Sequence, residues 1–188
     1  MDYVRVIVKE EVPLTKIDGL AWNDGWDMRD FTPRRAGKLF QQLWTKGKRT
    51  QIQYTEDPAI DLRYIMVSGP DQQKVLRKIQ ETFPVYTEAE VRRMVKTAQT
   101  PEERARAILH IGIAAPANFD DTFLGYFNSA FADDDANVRW AAATASGYTS
   151  WLELRDALQQ LATTDSDLRV RKAAKYALTQ LPVSAGAL

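Results

Sequence analysis

The sequence contains no cysteine and only one histidine, His110, among its 188 residues. The absence of cysteine excludes disulfides, thiolate nucleophiles and cysteine-ligated zinc or iron–sulfur centres. A single imidazole also excludes mechanisms that need two. No run of 18 apolar residues occurs, and the first residues lack the basic and apolar regions of a signal peptide. We therefore expect a cytoplasmic location, no membrane span and no resident cofactor or metal.

An excess of charge of one sign is missing as well. The 25 basic side chains equal the 25 acidic side chains over the whole chain. Residues 1–86 carry 14 basic and 12 acidic side chains, and residues 87–188 carry 11 and 13. Neither half has the strong positive field that nucleic-acid binders use, so a nucleic-acid partner is not expected.

The first 86 residues predict a small α+β domain with the order β-α-β-β-α. Residues 3–9, 50–54 and 61–67 have the alternation and the β-branched and aromatic content of strands. A helix is predicted over 32–47, and another begins after Pro70 with an apolar face. No motif assigns this domain to a family. The apolar residues of the two predicted helices are Ala36, Leu39, Phe40, Leu43 and Trp44 in the first, and Val75, Leu76 and Ile79 in the second.

Residues 10–31 predict an irregular connection, which is uncommon at this length in a compact domain. Its second part, residues 18–31, is rich in aspartate and tryptophan. A calcium loop would need the spacing D-x-[DN]-x-[DN]-G-x5-E, which no starting aspartate satisfies. We interpret the aspartates as turn formers and Trp22 and Trp26 as core anchors. We therefore predict no metal site in this segment.

Basic side chains gather around the start of the helix predicted over 32–47. Arg34, Arg35 and Lys38 would stand at its N-terminus, where free N–H groups favour a phosphate or an RNA backbone. No glycine-rich phosphate loop accompanies them. An ordinary solvated face is the preferred interpretation, and anion binding through the basic cluster at 29–49 is an alternative.

All of the chain after Pro84 predicts helix, in a domain at 87–182 followed by a short tail at 183–188. Hydroxyl residues with a glutamate three positions later, at Thr87, Thr100 and Ser150, form the capping-box pattern. Six helices in succession make three antiparallel pairs. The predicted helices are 88–98, 101–114, 120–132, 135–147, 151–162 and 167–181.

One phrase occurs twice in this half of the chain. Residues 133–142 (DDDANVRWAA) and 165–174 (DSDLRVRKAA) share the pattern D-x-D-x-x-V-R-x-A-A at a displacement of 32 residues. A period of this size is typical of helical solenoids. Aspartates at a helix start cap free N–H groups, and alanines allow neighbouring helices to approach closely. The arginine can pair with a carboxylate of its own turn or of the adjacent repeat.

The phrase resembles the second helix of HEAT repeats, particularly the short bacterial (PBS-lyase-type) kind also found in phycobilin lyases. The resemblance covers roughly residues 100–182 and implies an all-α stack of about three helix pairs. HEAT repeats serve as scaffolds, lyase subunits, regulators and nucleic-acid binders, so the fold alone assigns no activity. The resemblance implies a structural ladder that consists of Asp135, Arg139, Asp167 and Arg171.

In this family the second helices line the concave face, where ligands commonly dock. Trp140 stands where the next repeat has Lys172, and a tryptophan at a nominally exposed position is a typical binding hot spot. Thr144, Lys175 and Tyr176 follow one helical turn later. These five residues form the candidate partner-binding set. The alternative interpretation is that Trp140 is covered as part of the core.

No catalytic constellation is found in the sequence. A serine elbow and the H-E-x-x-H pattern are both absent, and His110 stands among apolar residues, as packing histidines do. The preferred hypothesis is therefore a non-catalytic protein-binding or adaptor module. An enzyme accessory or lyase-like protein that handles a pigment or a modified side chain is the alternative. The C-terminal helix pair is a candidate surface for self-association, because solenoid ends need covering.

Overall fold

The computed structural model describes residues 3–182, so the predicted tail at 183–188 lies outside the described residues. Two compact units divide the chain, Met1–Thr87 and Glu88–Leu188. The described residues form one five-stranded antiparallel sheet and eight α-helices, which makes the protein a mixed α+β structure.

The N-terminal unit is built on the sheet, whose strand order is β1-β5-β4-β3-β2. The strands predicted at 3–9, 50–54 and 61–67 are confirmed as β1, β4 and β5. Two helices, α1 (Leu14–Asn23) and α2 (Gln72–Thr82), bury their apolar residues in the same hydrophobic cluster as one face of the sheet. The strands are β1 (Tyr3–Ile7), β2 (Asp27–Thr32), β3 (Phe40–Lys46), β4 (Thr50–Asp57) and β5 (Leu62–Ser68).

The helix predicted over 32–47 is wrong, because its second half is strand β3. Phe40, Gln42 and Trp44 alternate into the core, with 7%, 9% and 2% of their surface exposed. Phe40 and Trp44 fit both the helical period and the period of two, and burial against α1 and α2 selects the strand. Gly47 does not end a helix; with φ of 60° it turns the chain from β3 into β4.

The connection predicted at 10–31 is also wrong, since it contains helix α1 and strand β2. Pro13 precedes α1 in an extended conformation, and Ile17, Leu20 and Ala21 form the buried side of this helix. All six residues of β2 are exposed at the edge of the sheet, so the strand carries no apolar alternation that would reveal it. The observed order is therefore β-α-β-β-β-β-α in place of β-α-β-β-α.

The C-terminal unit consists of helices in the positions that periodicity and capping predict. The capping box of Thr100 and Glu103 is confirmed by both of its hydrogen bonds. The one predicted at Ser150 is wrong, because a short 3-10 turn without a side-chain cap precedes α7. The helices are α3 (Glu88–Thr97), α4 (Pro101–Ala114), α5 (Asp121–Phe131), α6 (Ala136–Ser146), α7 (Arg155–Thr164) and α8 (Leu168–Gln180).

The second helix of each pair packs beside the next, with α6 between α4 and α8. Near their N-termini, Arg104 of α4 contacts Asp133 just before α6. Arg139 of α6 contacts Asp165 just before α8 in the same way. The starts of the three helices therefore lie at one end of the unit.

Small residues bring the other ends of these helices together. A Cβ atom on Gly112 of α4 would lie only 2.6 Å from the carbonyl oxygen of Ala145 near the end of α6. A Cβ atom on Gly147, just after α6, would lie 3.9 Å from the Cβ atom of Ala177 in α8. The start of each helix therefore lies beside the start of the next, and the end beside the end, so α4, α6 and α8 run parallel.

Candidate functional site

Two bidentate ion pairs, which we call the arginine–aspartate ladder, join the second helices. Arg104 donates from Nε and Nη2 to the two carboxylate oxygens of Asp133, at 2.7 and 2.9 Å. Arg139 donates from the same two nitrogens to Asp165, at 2.7 and 3.1 Å. The planar fork of a guanidinium fixes both distance and orientation. The ladder therefore sets the register of each repeat against the next.

Backbone carbonyls hold each guanidinium from its other side. Nη1 of Arg139 donates to the carbonyl oxygens of Asp133 and Asp134, at 2.8 and 2.9 Å. Nη1 of Arg104 donates to the carbonyl oxygen of Gln99, at 3.1 Å. The arginine is thus anchored to the loop of its own repeat before it reaches the carboxylate of the following repeat.

The carboxylates of the ladder are not those that the HEAT resemblance implies. Asp135 and Asp167 cap α6 and α8, where each accepts the N–H group two residues later, at 2.7 and 2.6 Å. Asp133 and Asp165, two positions earlier, accept the arginines. The first aspartate of the D-x-D phrase is repeated as faithfully as the second, and this was the available sequence signal.

Each arginine of the ladder stabilises the charged form of the aspartate that it contacts. Hydrogen bonds from Arg104 hold the pKa of the Asp133 carboxyl below its ordinary value, and they outweigh the opposing effect of burial. Arg139 lowers the pKa of Asp165 for the same reason. Only 4% of the Asp165 side chain is exposed, against 15% for Arg139. Asp165 is consequently a buried carboxylate whose charge is stabilised mainly by Arg139, together with the N–H group of Asp167.

The candidate partner-binding residues lie on α6 and α8, the two neighbouring parallel helices. Trp140 and Thr144 on α6 are half-buried, whereas Lys172, Lys175 and Tyr176 on α8 are exposed. Tyr176 has 68% of its surface exposed, more than any other large apolar or aromatic side chain of the described part of α3 to α8. We call this set the second-helix face. Its exposure rises from α6 to α8.

A cavity of about 140 Å³ lies in the C-terminal unit beside the first ion pair. Arg104, Asp133, Tyr126 and Ser129 line it together with apolar side chains. Small-molecule sites begin at roughly 300 Å³, so this cavity is too small for a tetrapyrrole. His110 is fully buried in α4, and its Nδ1 lies 2.9 Å from the carbonyl oxygen of Arg106. Burial within the helix is consistent with a packing role.

The residues of the anion-binding alternative do not stand at a helix start. Arg34, Arg35 and Lys38 lie in the loop between β2 and β3, so the helix dipole that motivated the alternative is missing. Arg34 is committed to Glu56, at 2.5 Å, and its guanidinium lies 4.8 Å from the centre of the Phe40 ring. Acidic residues, including Glu56, share the surface depression lined by Arg35 and Lys38.

The tryptophan- and aspartate-rich segment at 18–31 divides into a buried and an exposed part. Trp26 is a core anchor, as expected: it is 6% exposed and packs edge-on against Trp44 at 6.0 Å. Its Nε1 donates to Asp24, which also accepts from Lys46. The same interpretation is wrong for Trp22, which is 86% exposed. Asp24 thus fixes the turn between α1 and β2.

Residues 3–182 contain no group of three or more His, Asp or Glu side chains placed to hold a metal ion. None of the helices in this described part of the chain has the length and apolar character to cross a bilayer. No protein-family model matches the chain, and no curated protein is significantly similar to it. Function must therefore be inferred from the side chains that the helices present.

Proposed function

We propose that the C-terminal unit is a HEAT-like stack that binds a segment of another protein along the second-helix face, and that the protein is a non-catalytic adaptor. The observation that carries this proposal is the exposure of Tyr176, at 68%, on a helix aligned with its neighbour by the ladder. Tyrosine supplies a large contact area with few rotamers to freeze, and it is enriched at binding hot spots.

The surroundings of Tyr176 support a peptide-binding surface. Lys172 lies one helical turn before it, and Lys175 precedes it directly, both exposed. Across the seam between α8 and α6, the half-buried Trp140 and Thr144 occupy the equivalent positions of the preceding repeat. Tyr176 and Trp140 supply apolar area for the centre of a protein interface, and the ammonium groups of the two lysines supply its polar rim.

The repeat geometry supports the HEAT-like part of the proposal. The D-x-D-x-x-V-R-x-A-A phrase recurs after 32 residues, and the helices that it begins are parallel neighbours. Each repeat contributes an arginine to the next, as expected for a solenoid whose units contact only their neighbours. A rigid array of this kind keeps the second-helix face preorganised, which lowers the entropic cost of binding.

Site-specific photo-crosslinking from position 176 tests the proposal. Benzoylphenylalanine in place of Tyr176, in cells that naturally make the protein, is expected to give a discrete covalent adduct with another protein. The matched control carries the same group at Gln160, an exposed position on α7. An aromatic crosslinker on the binding face lies within reach of the partner, whereas the control position does not.

The comparison between the two positions decides the outcome. Adducts of equal yield and identity from 176 and 160 would show random capture and would contradict the proposal, as would the lack of any adduct from 176. An adduct with the mass of two copies of this chain would redirect the proposal to self-association. Melting curves of both variants, expected to match the unmodified protein within a few degrees, control for the fold.

A further inference from the structure

Helix α8, the third of the parallel helices, carries an arginine prepared for a further carboxylate. Nη1 of Arg171 donates to the carbonyl oxygens of Asp165 and Ser166, at 2.5 and 3.1 Å. Nη1 of Arg139, at the same place in the preceding repeat, donates to the equivalent carbonyls of Asp133 and Asp134. Arg171 is therefore anchored to its own loop as Arg139 is.

We call each arginine–aspartate pair of the ladder a rung, and within the described residues Arg171 lacks the carboxylate that would complete a third one. In Arg104 and Arg139 the Nε and Nη2 atoms hold an aspartate of the next repeat. Within residues 3–182, no carboxylate oxygen lies within ion-pair distance of Arg171. Asp167, the nearest acidic residue in the same helix start, pairs with Arg169 instead. In this part of the chain the guanidinium of Arg171 is thus oriented by its own loop, and no acidic side chain pairs with it.

A second cation lies beside this open rung. Lys175 is four residues after Arg171 and so shares its side of α8. The equivalent position of α6 is Ala143, which is fully buried. Replacement of a buried alanine by an exposed lysine makes the outer side of α8 unsuitable for another apolar repeat and attractive to negative charge. We call Arg171 and Lys175 the cationic end.

A second copy of this chain does not supply the required acid in the register of the ladder. The ladder aspartates stand two residues before the capping residues of α6 and α8, at Asp133 and Asp165. Helix α4 is capped by Thr100, and the residue two positions before this cap, equivalent to the ladder aspartates, is Ala98. End-to-end stacking of two copies would place a methyl group opposite Arg171, so charge complementarity favours a different protein.

We propose that the cationic end binds an acidic segment of a partner protein, whose aspartate or glutamate side chain is accepted bidentately by Nε and Nη2 of Arg171 beside Lys175. This inference rests on the proposed function, because Lys175 belongs to both surfaces and the cationic end identifies the charge of the segment that binds beside the second-helix face. The ladder supplies the template: each existing rung places the carboxylate just before the start of a helix. The preferred ligand is therefore an aspartate in front of a helical segment.

The test uses the full chain and a fluorescein-labelled helical peptide that begins Asp-Ser-Asp and continues with alanine and glutamate. Fluorescence anisotropy is expected to show binding that weakens as the salt concentration rises.

Three variants and a control test which side chains bind the peptide. Arg171→Gln should weaken the binding about tenfold, since charge-assisted bidentate bonds are lost. Arg171→Lys should restore little, because an ammonium cannot reproduce the fork. Lys175→Gln should weaken binding by a smaller factor. The matched control, Lys96→Gln, removes an exposed cation from α3 and should leave the affinity unchanged.

Two further measurements keep the inference falsifiable. A peptide whose first aspartate is replaced by asparagine should bind more weakly; equal binding would overturn the inference. Arg171→Gln could weaken binding because it destabilises the fold, which a lower melting temperature would reveal. Lys175→Gln leaves the carbonyl contacts of Arg171 in place, so in that case its weaker peptide binding is the test of the cationic end. The absence of peptide binding, or tighter arginine-dependent binding of a DNA duplex, would also overturn it. Crosslinking from position 176 would still stand in those cases, so failure here is distinguishable from failure of the proposed function.

Discussion

Replacing Gly112 by alanine is expected to destabilise the C-terminal unit by about 2 kcal/mol or more, as overpacked cores do. The new Cβ atom would lie 2.6 Å from the carbonyl oxygen and 2.7 Å from the Cβ atom of Ala145. The nearest obstacle is backbone, which no rotamer change can move. Helices α4 and α6 must therefore separate, although alanine is intrinsically the better helix former.

Gly125 provides the matched control, because it is a helical glycine with nothing within 4 Å of an added Cβ atom. Gly125→Ala is expected to stabilise the unit by roughly 0.5–1 kcal/mol, since it only reduces the entropy of the unfolded chain. Urea unfolding followed by far-UV circular dichroism, which is dominated by these helices, measures both variants. Changes of the same sign at the two positions would mean that α4 and α6 do not approach closely at Gly112.

Arg139→Gln is expected to destabilise the C-terminal unit by about 3 kcal/mol at pH 7, because it leaves a buried carboxylate without its partner. The carboxylate is that of Asp165, whose side chain is 4% exposed. Adding Asp165→Asn should recover part of the loss, since the asparagine oxygen can still accept the N–H of Asp167. Arg169→Gln is the control: the Arg169 side chain is 62% exposed and Asp167 keeps 22% exposure, against 4% for Asp165, so the loss of stability should be much smaller.

The effect of Arg139→Gln should depend on pH in a defined direction. Arg139 lowers the pKa of Asp165 in the folded protein below the ordinary value of 3.8. A carboxyl with a lowered pKa stabilises the fold above its unfolded pKa, and this contribution is lost as the pH falls through the folded pKa. The difference between Arg139→Gln and the wild type should therefore shrink as the pH falls below 3.8, the ordinary pKa of the carboxyl. A difference that stays the same at pH 7 and at a pH well below this value would show that the ion pair does not carry the effect.

The helices of the second half could be predicted because their local signals agree. Apolar periodicity, the capping box of Thr100 and the D-x-D phrase all indicate the same boundaries, and tertiary packing does not oppose them. The repeat phrase marks both Asp133 and Asp135, but it does not say which of the two is the ladder carboxylate. Both stand at a helix start, and only the position of Arg104 in the neighbouring helix selects Asp133.

The N-terminal unit was harder to predict because its apolar residues satisfy two periods. Phe40, Leu43 and Trp44 repeat at helical spacing, yet Phe40 and Trp44 are buried on one face of a strand. Strand β2 gives no signal of its own, since all of its residues are exposed and its pairing with β3 shifts between Met28 and Asp30. Strand β2 forms by pairing with β3, and the sequence of β3 is compatible with either a helix or a strand. One wrong assignment therefore produced the other.

The ladder pairs allow a whole 32-residue repeat to be deleted or duplicated without loss of charge pairing. Each rung takes its arginine from one repeat and its aspartate from the following one, and Asp133 and Asp165 occupy equivalent places. Loss of residues 133–164 in a recombination event would bring Asp165 opposite Arg104 without leaving either charge alone. Duplication of the same stretch would add one complete rung. The protein can therefore gain or lose this 32-residue unit without leaving an unpaired charge in the ladder.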